Sequence, residues 1–467
     1  MLSIFRNNKK KHAASGNPGI TENPHTDTLK KKEEEIQQMG RALSELVSYY
    51  TFNGKNYKDC AEAVARIARE MGLGAEVVDG PNVIIDFNVG AKQTLLLATH
   101  YDVVDAGDPK KWKHNPFKLT EATESEETVW YGRGAADDKA GIVAALFALK
   151  ELKETGGSNV NVRLLVTCDE EIGDKNRRGI RNLLDNFGVK GNAVIMVDGE
   201  PRIARASCGI VQGEIRITGG IEDTVKFLKD VAAFRSVREA RHTTGLPSGE
   251  GRENPEFVWG RFSLTGLHMK GIINGANFSV NAGGDSPGSI PNECRVERKN
   301  RSGENVREPF VVDGVGGHAA YPHRAQNPID RFIAGECKHA FSKDERKNFD
   351  SSTKVVFDMR LLPDEDPQSA IEKMLDWINA SAKRHKLDSR VSVSITKDKK
   401  GYLAREDDPF VSLVKDALGE KSVYGDLAGS DMTFFGDRQE TAILLGPMRW
   451  DDFFNTNIHS IDERVRV

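Results

Sequence analysis

Three short apolar segments, TLLLAT (94–99), NVRLLVTC (161–168) and NAVIMV (192–197), constrain the fold of this chain more than any other feature. Each has the length of a buried strand, and helical patterns at 142–154 and 177–188 separate them. Strands that alternate with helices in this way predict an α/β domain with a largely parallel sheet.

Composition limits the classes of partner. The 66 Lys and Arg residues against 70 Asp and Glu residues give a formal charge of −4, so a basic nucleic-acid-binding protein is not expected. No run of eighteen apolar residues occurs, and the apolar start LSIF is too short for a signal-peptide core, so no membrane partner is expected. The five cysteines are odd in number and form no CxxC pair, which predicts buried thiols in a reducing, cytoplasmic setting.

The texture of the sequence changes along the chain. Residues 1–27 are polar and predict a mobile tail. Between about 206 and 398, strand-like and helix-like runs mix as in an α+β unit whose sheet has one solvated face. The last part, 399–467, has a helical pattern followed by an apolar strand, as in the α/β pattern of the first part of the chain.

Residue types that bind metals or carry protons follow all three apolar segments. In open α/β sheets, functional sites form at the carboxyl ends of strands, so these residues are expected to lie close together. The simpler alternative is a set of polar loop residues with no shared site. It is disfavoured because such residues follow all three apolar segments, not just one. The residues are His100, Asp102, Glu170, Glu171, Asp198 and Glu200.

The Gly-rich segment YGRGAADDKAG (131–141) places Asp137 just before the predicted helix at 142. A carboxylate there can cap the helix N-terminus, or it can bridge two cations. His and carboxylates are the ligands expected for zinc-like ions, and a paired site needs one shared carboxylate with further ligands for each ion. His100, Asp137, Glu171 and Asp198 supply four ligands, and NIHSIDE near the C-terminus offers His459 as a fifth.

The order of these motifs resembles that of the dinuclear zinc amidohydrolases. This family includes carnosinases, bacterial dipeptidases, carboxypeptidase G, aminoacylase, acetylornithine deacetylase and succinyl-diaminopimelate desuccinylase. The resemblance covers the chain from about residue 40 to residue 467. The motifs that carry it are H-x-D (100–102), GRGAADDK (132–139), DEE-x-G (169–173), D-G-E-P (198–201) and IHSIDE (458–463).

The resemblance implies a ligand set for two zinc ions, with manganese or cobalt as substitutes. Asp137 would be the bridging carboxylate, followed by a cis peptide bond. His100 and Asp198 would complete the ligands of one ion, and Glu171 and His459 those of the other.

The resemblance also implies two catalytic residues. Asp102 would hold His100 through a hydrogen bond, and Glu170 would be the general base that moves a proton from water to the leaving amine. Glu200 competes with Asp198 as a ligand, because some branches of the family use a Glu in a GEP turn. Asp198 is preferred since it follows the apolar strand directly.

The predicted domain organisation follows from the two distant histidines. His100 and His459 can share a site only if the intervening chain loops out and returns. The resemblance therefore implies a catalytic domain with a mixed, largely parallel sheet, formed by 28–205 and 399–467. An α+β lid or dimerisation domain, 206–398, would be inserted into it.

The lid is expected to contact the substrate. GVGGHAAYPH (314–323) is similar to a family lid motif in which His318 would stabilise the oxyanion. VVFDMRLLP (355–363) is similar to the lid strand whose arginine, Arg360, would bind a substrate carboxylate. Gly429 and Ser430 resemble a turn that lies near the same carboxylate.

The sequence thus predicts a hydrolase of an amide bond adjacent to a free carboxylate, acting on dipeptides or short peptides. A deacylase of N-acyl amino acids is the alternative within the same class. A metal-binding scaffold without catalysis is the alternative of another class, and Glu170 argues against it because a structural site needs no base. A long lid can also pair two chains as a homodimer.

Overall fold

The computed structural model describes residues 24–467 except 80, 174–175, 235, 237–261, 284–286, 321–324, 406, 421–422, 427, 437 and 449–455. Most of the predicted tail, 1–27, lies outside the described residues. The chain divides into two compact units. The first comprises Met1–Ile203, Glu406–Ser422 and Asp437–Val467, and the second comprises Ala204–Arg405 and Val423–Gly436.

The first unit is built from strands that alternate with helices, as predicted. Its described helices are α1 (Pro24–Ser48), α2 (Tyr57–Glu70), α3 (Lys139–Thr155), α4 (Ile180–Asp185) and α10 (Pro409–Leu418). Its described strands are β1 (Gly74–Val78), β2 (Asn82–Phe87), β3 (Thr94–His100), β4 (Thr120–Glu124), β5 (Glu127–Tyr131), β6 (Asn161–Thr167), β7 (Ala193–Met196), β20 (Thr441–Leu444) and β21 (Arg464–Arg466). A single turn of 3-10 helix spans Pro109–Lys111.

Six of these strands form a mixed sheet in the order β1-β2-β6-β3-β7-β20. The four strands from β6 to β20 are parallel, and β1 and β2 are antiparallel. Strand β7 is buried throughout and β3 is buried from its second residue, because a parallel sheet is covered on both faces. His100 at the end of β3 pairs with Thr167 at the end of β6, so the residues after both strands leave the same edge of the sheet.

The remaining three strands of this unit form a small antiparallel sheet in the order β21-β5-β4. Arg464 pairs with Tyr131, although 333 positions separate them in the sequence (464 − 131). The loop after β5 carries Asp137, and the loop before β21 carries His459. The small sheet therefore brings the two loops together.

The second unit is an α+β arrangement. Its described helices are α5 (Ile221–Ala232), α6 (Pro328–Arg331), α7 (Cys337–Ala340), α8 (Lys343–Asn348) and α9 (Pro367–Arg384), with a π-helical turn at Phe332–Glu336 and a 3-10 turn at Asp431–Phe435. Its described strands are β8 (Ala204–Ser207), β9 (Gly209–Gly220), β10 (Phe262–Ile273), β11 (Ala276–Ala282), β12 (Ser289–Ile290), β13 (Glu293–Lys299), β14 (Phe310–Asp313), β15 (Gly317–His318), β16 (Asp350–Leu361), β17 (Val391–Lys399), β18 (Tyr402–Leu403) and β19 (Tyr424–Asp426).

Seven strands of the second unit form an antiparallel sheet, β14-β13-β11-β10-β16-β9-β17. Apolar side chains of β9 and β16 pack with those of α5 and α9 in one core, which includes Ile217, Phe227, Phe357 and Met374. Along β17 the side chains alternate between half-buried and exposed, as expected for a sheet with one solvated face. The predicted combination of a mixed, largely parallel sheet and a separate α+β unit is confirmed.

Two predictions on composition can also be compared with the structure. All five cysteines are buried thiols outside any disulfide, as predicted. Among the described helices, none is long and apolar enough to cross a membrane.

Candidate metal centre

Asp137 lies between two imidazoles of the first unit. Its Oδ1 atom is 3.2 Å from Nε2 of His100, and its Oδ2 atom is 3.2 Å from Nε2 of His459. The two imidazoles therefore face different oxygens of one carboxylate, which is the arrangement that a carboxylate shared by two cations requires. The peptide bond between Asp137 and Asp138 is cis, as the resemblance implied.

The structure brings all five predicted ligands together in two groups that share Asp137. One group is His100, Asp137 and Asp198, and the other is Asp137, Glu171 and His459, with the ligand atoms of each group within 4.8 Å of one another. Nε2 of His459 lies 3.0 Å from Oε2 of Glu171. Tetrahedral bonds of about 2.0–2.1 Å place neighbouring ligand atoms about 3.3 Å apart. The measured separations of 3.0–3.2 Å suit such an ion.

The Nε2 atom of His100 gives an independent test of this fit. It is buried, faces Asp137 and makes no hydrogen bond. Buried polar atoms in native proteins nearly always have a partner, so an unsatisfied imidazole nitrogen among carboxylates is what a cation site leaves behind. The residues present thus fit a pair of zinc-like ions.

Burial and the neighbouring charges shift the pKa values of the cluster. Burial favours the neutral form of His100, but the neighbouring carboxylates of Asp102 and Asp137 raise its pKa well above the ordinary value. Burial raises the pKa of Glu171 to about 7 against the opposing effect of His459. Burial also opposes the charged form of His459, yet Glu171 and Asp137 raise its pKa to about 10. The carboxylates therefore attract positive charge to this point.

Asp102 connects the ends of β3 and β6. Nδ1 of His100 is 3.1 Å from the main-chain oxygen of Asp102 and 3.4 Å from its Oδ1 atom. An Nδ1–H directed at Asp102 leaves Nε2 directed at Asp137. The Asp102 carboxylate also accepts hydrogen bonds from the backbone N–H groups of Glu170 at 3.2 Å and Glu171 at 3.1 Å.

Glu170 is half-buried and belongs to neither ligand group. The residue before it, Asp169, is fully buried and has a left-handed φ of 65°. Its carboxylate accepts two hydrogen bonds from the Arg178 guanidinium, each of 2.9 Å. These contacts fix the backbone from which the Glu170 and Glu171 side chains project.

The structure distinguishes Asp198 from Glu200, the two candidates for the ligand that joins His100 and Asp137. Asp198 belongs to the group of His100 and Asp137. Glu200 belongs to neither group, and both of its carboxylate oxygens accept hydrogen bonds of 2.9 Å from Arg202.

Arg360, predicted to bind a substrate carboxylate, is buried in the second unit. Its Nε and Nη2 atoms donate to Asp358 at 2.6 and 3.0 Å, and Nη1 donates to the main-chain oxygen of Ala428. Gln212 donates to the same Asp358 carboxylate at 2.7 Å. The guanidinium is therefore held in one orientation by the second unit's own residues.

The other predicted substrate residues also lie in the second unit. Nδ1 of His318 accepts a hydrogen bond of 3.0 Å from the backbone of Ala320. Gly429 has a φ of 78°, and a Cβ atom there would lie 2.7 Å from Cδ1 of Ile210. The backbone N–H of Ser430 donates to Oγ of Ser207 at 2.8 Å. Their contacts with substrate stay predictions.

Sequence reasoning missed two charged residues of the first unit. Arg133 and Glu463 lie within the GRGAADDK and IHSIDE motifs but received no role. They form a buried ion pair. Their position in two motifs that already carried ligands was the available signal, but no spacing rule links them.

The fold and the centre together define a metallohydrolase. The chain belongs to peptidase family M20/M25/M40, whose model matches residues 96–467.

Individual relatives agree with this family. The chain is 33% identical over 159 residues to the cysteinylglycine-S-conjugate dipeptidase of Corynebacterium striatum. The aligned residues are 32% of this chain and 34% of that protein. It is 36% identical over 143 residues to a probable succinyl-diaminopimelate desuccinylase of Staphylococcus aureus, covering 30% of this chain and 33% of the relative. These matches span about a third of each relative's length.

A solved structure shares the fold over the whole chain. Human carnosine dipeptidase 1 superposes with a TM-score of 0.60 at 14% sequence identity, covering 100% of this chain and 95% of that one.

Proposed function

We propose that this chain hydrolyses an amide bond adjacent to a free carboxylate in dipeptides or short peptides, as a dipeptidase or carboxypeptidase. The observation that carries the proposal is the position of Asp137 between His100 and His459. The family supports peptide bond hydrolysis, and the dipeptidase activity named for the Corynebacterium relative supports short substrates.

The proposed cofactor is a pair of zinc ions, for which manganese or cobalt can substitute because these ligands discriminate poorly among such metals. One ion would be held by His100, Asp137 and Asp198, and the other by Asp137, Glu171 and His459. When bound, two such cations polarise the scissile carbonyl and lower the pKa of a water molecule.

Glu170 is the proposed general base. It accepts a proton from the attacking water and donates that proton to the nitrogen of the leaving amine, so one carboxylate serves both steps. Two features support this role. Its carboxylate is outside both ligand groups, and its backbone is tied to Asp102, which also orients His100.

The test is to replace Glu170 by Gln in protein reconstituted with zinc. We expect kcat to fall by about 10²–10⁴-fold while two metals per chain are retained. Glu200→Gln is the matched control for metal content, because Glu200 contacts Arg202 and belongs to neither ligand group. Unchanged turnover in Glu170→Gln would refute the assigned base.

Deacylation of N-acyl amino acids is the second candidate, favoured by the match to the probable desuccinylase. A panel of dipeptides and N-acyl amino acids, assayed with the same metal-loaded protein, separates the two. Higher kcat/KM on dipeptides supports the first candidate, and higher kcat/KM on acylated substrates supports the second. Binding of two metals without turnover on either panel would favour a scaffold.

The proposal includes a reducing, cytoplasmic setting, because the five cysteines are buried and form no disulfide. It also includes a homodimer formed through 206–398, which sedimentation of the purified chain would test.

A further inference from the structure

Arg133 and Glu463 form an ion pair that is almost completely buried, with side chains 3% and 1% exposed. Arg133 lies four residues before Asp137, and Glu463 lies four residues after His459. Breaking a buried pair is costly, but well-packed apolar residues of similar volume often stabilise a fold as well or better. A role in stability alone therefore does not explain why charges occupy this place.

Glu463 binds the loop that carries Asp137. Its carboxylate accepts hydrogen bonds from the backbone N–H groups of Gly134 at 3.1 Å, Ala136 at 3.0 Å and Asp137 itself at 3.1 Å. A residue of the His459 segment thus fixes the backbone of the proposed bridging ligand.

Arg133 binds the loop that carries His459. Its Nη2 atom donates to the main-chain oxygen of Ser460 at 2.9 Å, and its Nη1 atom donates to Glu463. The guanidinium carbon lies 5.1 Å from the centroid of the Trp112 ring, which restricts its orientation further. The contacts are therefore reciprocal, because each loop contributes one charged side chain that holds the other loop.

The His459 loop needs such a restraint. Asn457, His459 and Asp462 all have left-handed φ values, of 53°, 60° and 60°. Non-glycine residues in this region persist only where surrounding contacts determine the backbone. The Arg133–Ser460 hydrogen bond and the pairing of β21 with β5 supply those contacts.

We propose that Arg133 and Glu463 are a positioning pair that sets the separation of Asp137 and His459, and thereby the affinity of the ion held by Asp137, Glu171 and His459. The inference rests on the proposed function, since it concerns the same metal centre. His459 belongs to only one ligand group, so loss of the pair weakens one ion more than the other.

The experiment is a Co²⁺ titration of metal-free Glu463→Gln, followed by visible absorption and by the metal content of the dialysed protein. Gln keeps the size of the side chain but removes the charge that Arg133 and the three N–H groups bind. We expect one Co²⁺ to bind about 10–100-fold more weakly than in the wild type, with an altered absorption spectrum, and the other to change less.

Two further variants separate positioning from stability. Glu345→Gln removes the charge from another Arg–Glu pair, that of Arg298 and Glu345 in the second unit, and is expected to leave the Co²⁺ titration unchanged. Glu463→Asp keeps the charge but is one methylene shorter, so it cannot reach all three N–H groups. We expect Glu463→Asp to fold and still to bind one Co²⁺ more weakly than the wild type. If Glu463→Gln does not fold, the titration of Glu463→Asp tests the positioning role instead.

Folded Glu463 variants that titrate like the wild type would overturn the positioning role while leaving the proposed function intact. A wild-type chain that binds fewer than two Co²⁺ ions would overturn the proposed function, and the inference with it. The wild-type titration therefore distinguishes the two failures.

Discussion

The carboxylate of Asp102 accepts a hydrogen bond from the backbone N–H of Glu171 at 3.1 Å, which joins the segment after β3 to the segment after β6. The same carboxylate lies 3.4 Å from Nδ1 of His100. One side chain thus positions a proposed ligand of each ion.

Asp102→Asn is expected to lower metal affinity and kcat/KM by about 10–100-fold. An amide has only one accepting oxygen, so its NH2 group must face the N–H of either Glu170 or Glu171. Asp105→Asn is the control, because Asp105 is exposed and accepts hydrogen bonds that an Asn oxygen can also accept. Equal losses in both variants would contradict a specific role for Asp102.

The Asp169–Arg178 pair is expected to support the backbone before Glu170. Arg178→Met leaves the Asp169 carboxylate, which is 0% exposed, without its cation. Because the arginine is partly exposed, we expect a loss of about 2–3 kcal/mol in the free energy of unfolding, measured by urea denaturation. Arg177→Met should change it by less than about 0.5 kcal/mol, since Arg177 and its partner Asp185 are both exposed. A similar effect of the two substitutions would argue against the buried carboxylate as the cause.

The pair formed by Glu345 and Arg298 gives a prediction on pH. The hydrogen bond from Arg298 lowers the pKa of Glu345 from the usual 4.5 to about 2. A carboxyl group with a lower pKa in the folded state stabilises the fold above about pH 4.5, and this contribution disappears as the pH falls towards 2.

Glu345→Gln is therefore expected to lower stability by about 1–2 kcal/mol at pH 7, after allowance for solvent screening, and by progressively less below pH 4.5. Urea denaturation of wild type and variant from pH 7 to pH 3 measures the difference. Glu222→Gln removes an ion pair with the exposed Lys226, and its effect on the free energy of unfolding at pH 7 should be smaller, below about 0.5 kcal/mol. A difference in the free energy of unfolding between wild type and Glu345→Gln that stays constant with pH would contradict a stabilising role of the ionised Glu345 carboxylate.

Removal of the metals is expected to destabilise the first unit. An ion present at 100 times its Kd stabilises the folded state by about 2.7 kcal/mol, so chelation should lower the midpoint of thermal unfolding and added zinc should restore it. In His459→Ala the shift on chelation should be smaller, because one ligand group is incomplete. A midpoint that chelator leaves unchanged in the wild type would show that no ion is bound.

The buried strands of the first unit could be predicted because each is a short, continuous run of apolar residues, which is typical of a strand covered on both faces. The segments around Leu97, Leu164 and Ile195 are apolar on both faces, and they became β3, β6 and β7 of a parallel sheet. The residues after those strands are therefore expected at one edge of the sheet, and the structure places His100, Asp102 and Glu171 together there.

Other elements could be predicted only in outline. The sequence at 256–280 predicts one strand-like run, of which 256–261 lie outside the described residues. Its described part is divided by Asn274 and Gly275, whose φ values of 51° and 82° form the turn between β10 and β11. The sequence at 327–342 predicts a helix, and the structure has helices α6 and α7 there. The pattern does not reveal that Phe332–Glu336 between them is a π-helical turn, because side-chain periodicity barely distinguishes the two hydrogen-bond patterns.

The small sheet β21-β5-β4 and the Arg133–Glu463 pair could not be predicted. TEATE and RVR are short and polar, so they carry no burial pattern, and the pairing of Arg464 with Tyr131 is far from local. Buried charges are also recognisable only when both partners are known. Sequence reasoning thus proposed the ligands and the contact of Asp102 with His100, but it missed the Arg133–Glu463 contacts that join the loops of Asp137 and His459.

The shared carboxylate of Asp137 is tested most directly by anomalous diffraction at the zinc edge from crystals of the zinc-reconstituted protein. We expect two peaks, one bound by Oδ1 of Asp137 with His100 and the other by Oδ2 with His459. A single peak, or two peaks of which only one contacts Asp137, would contradict this expectation.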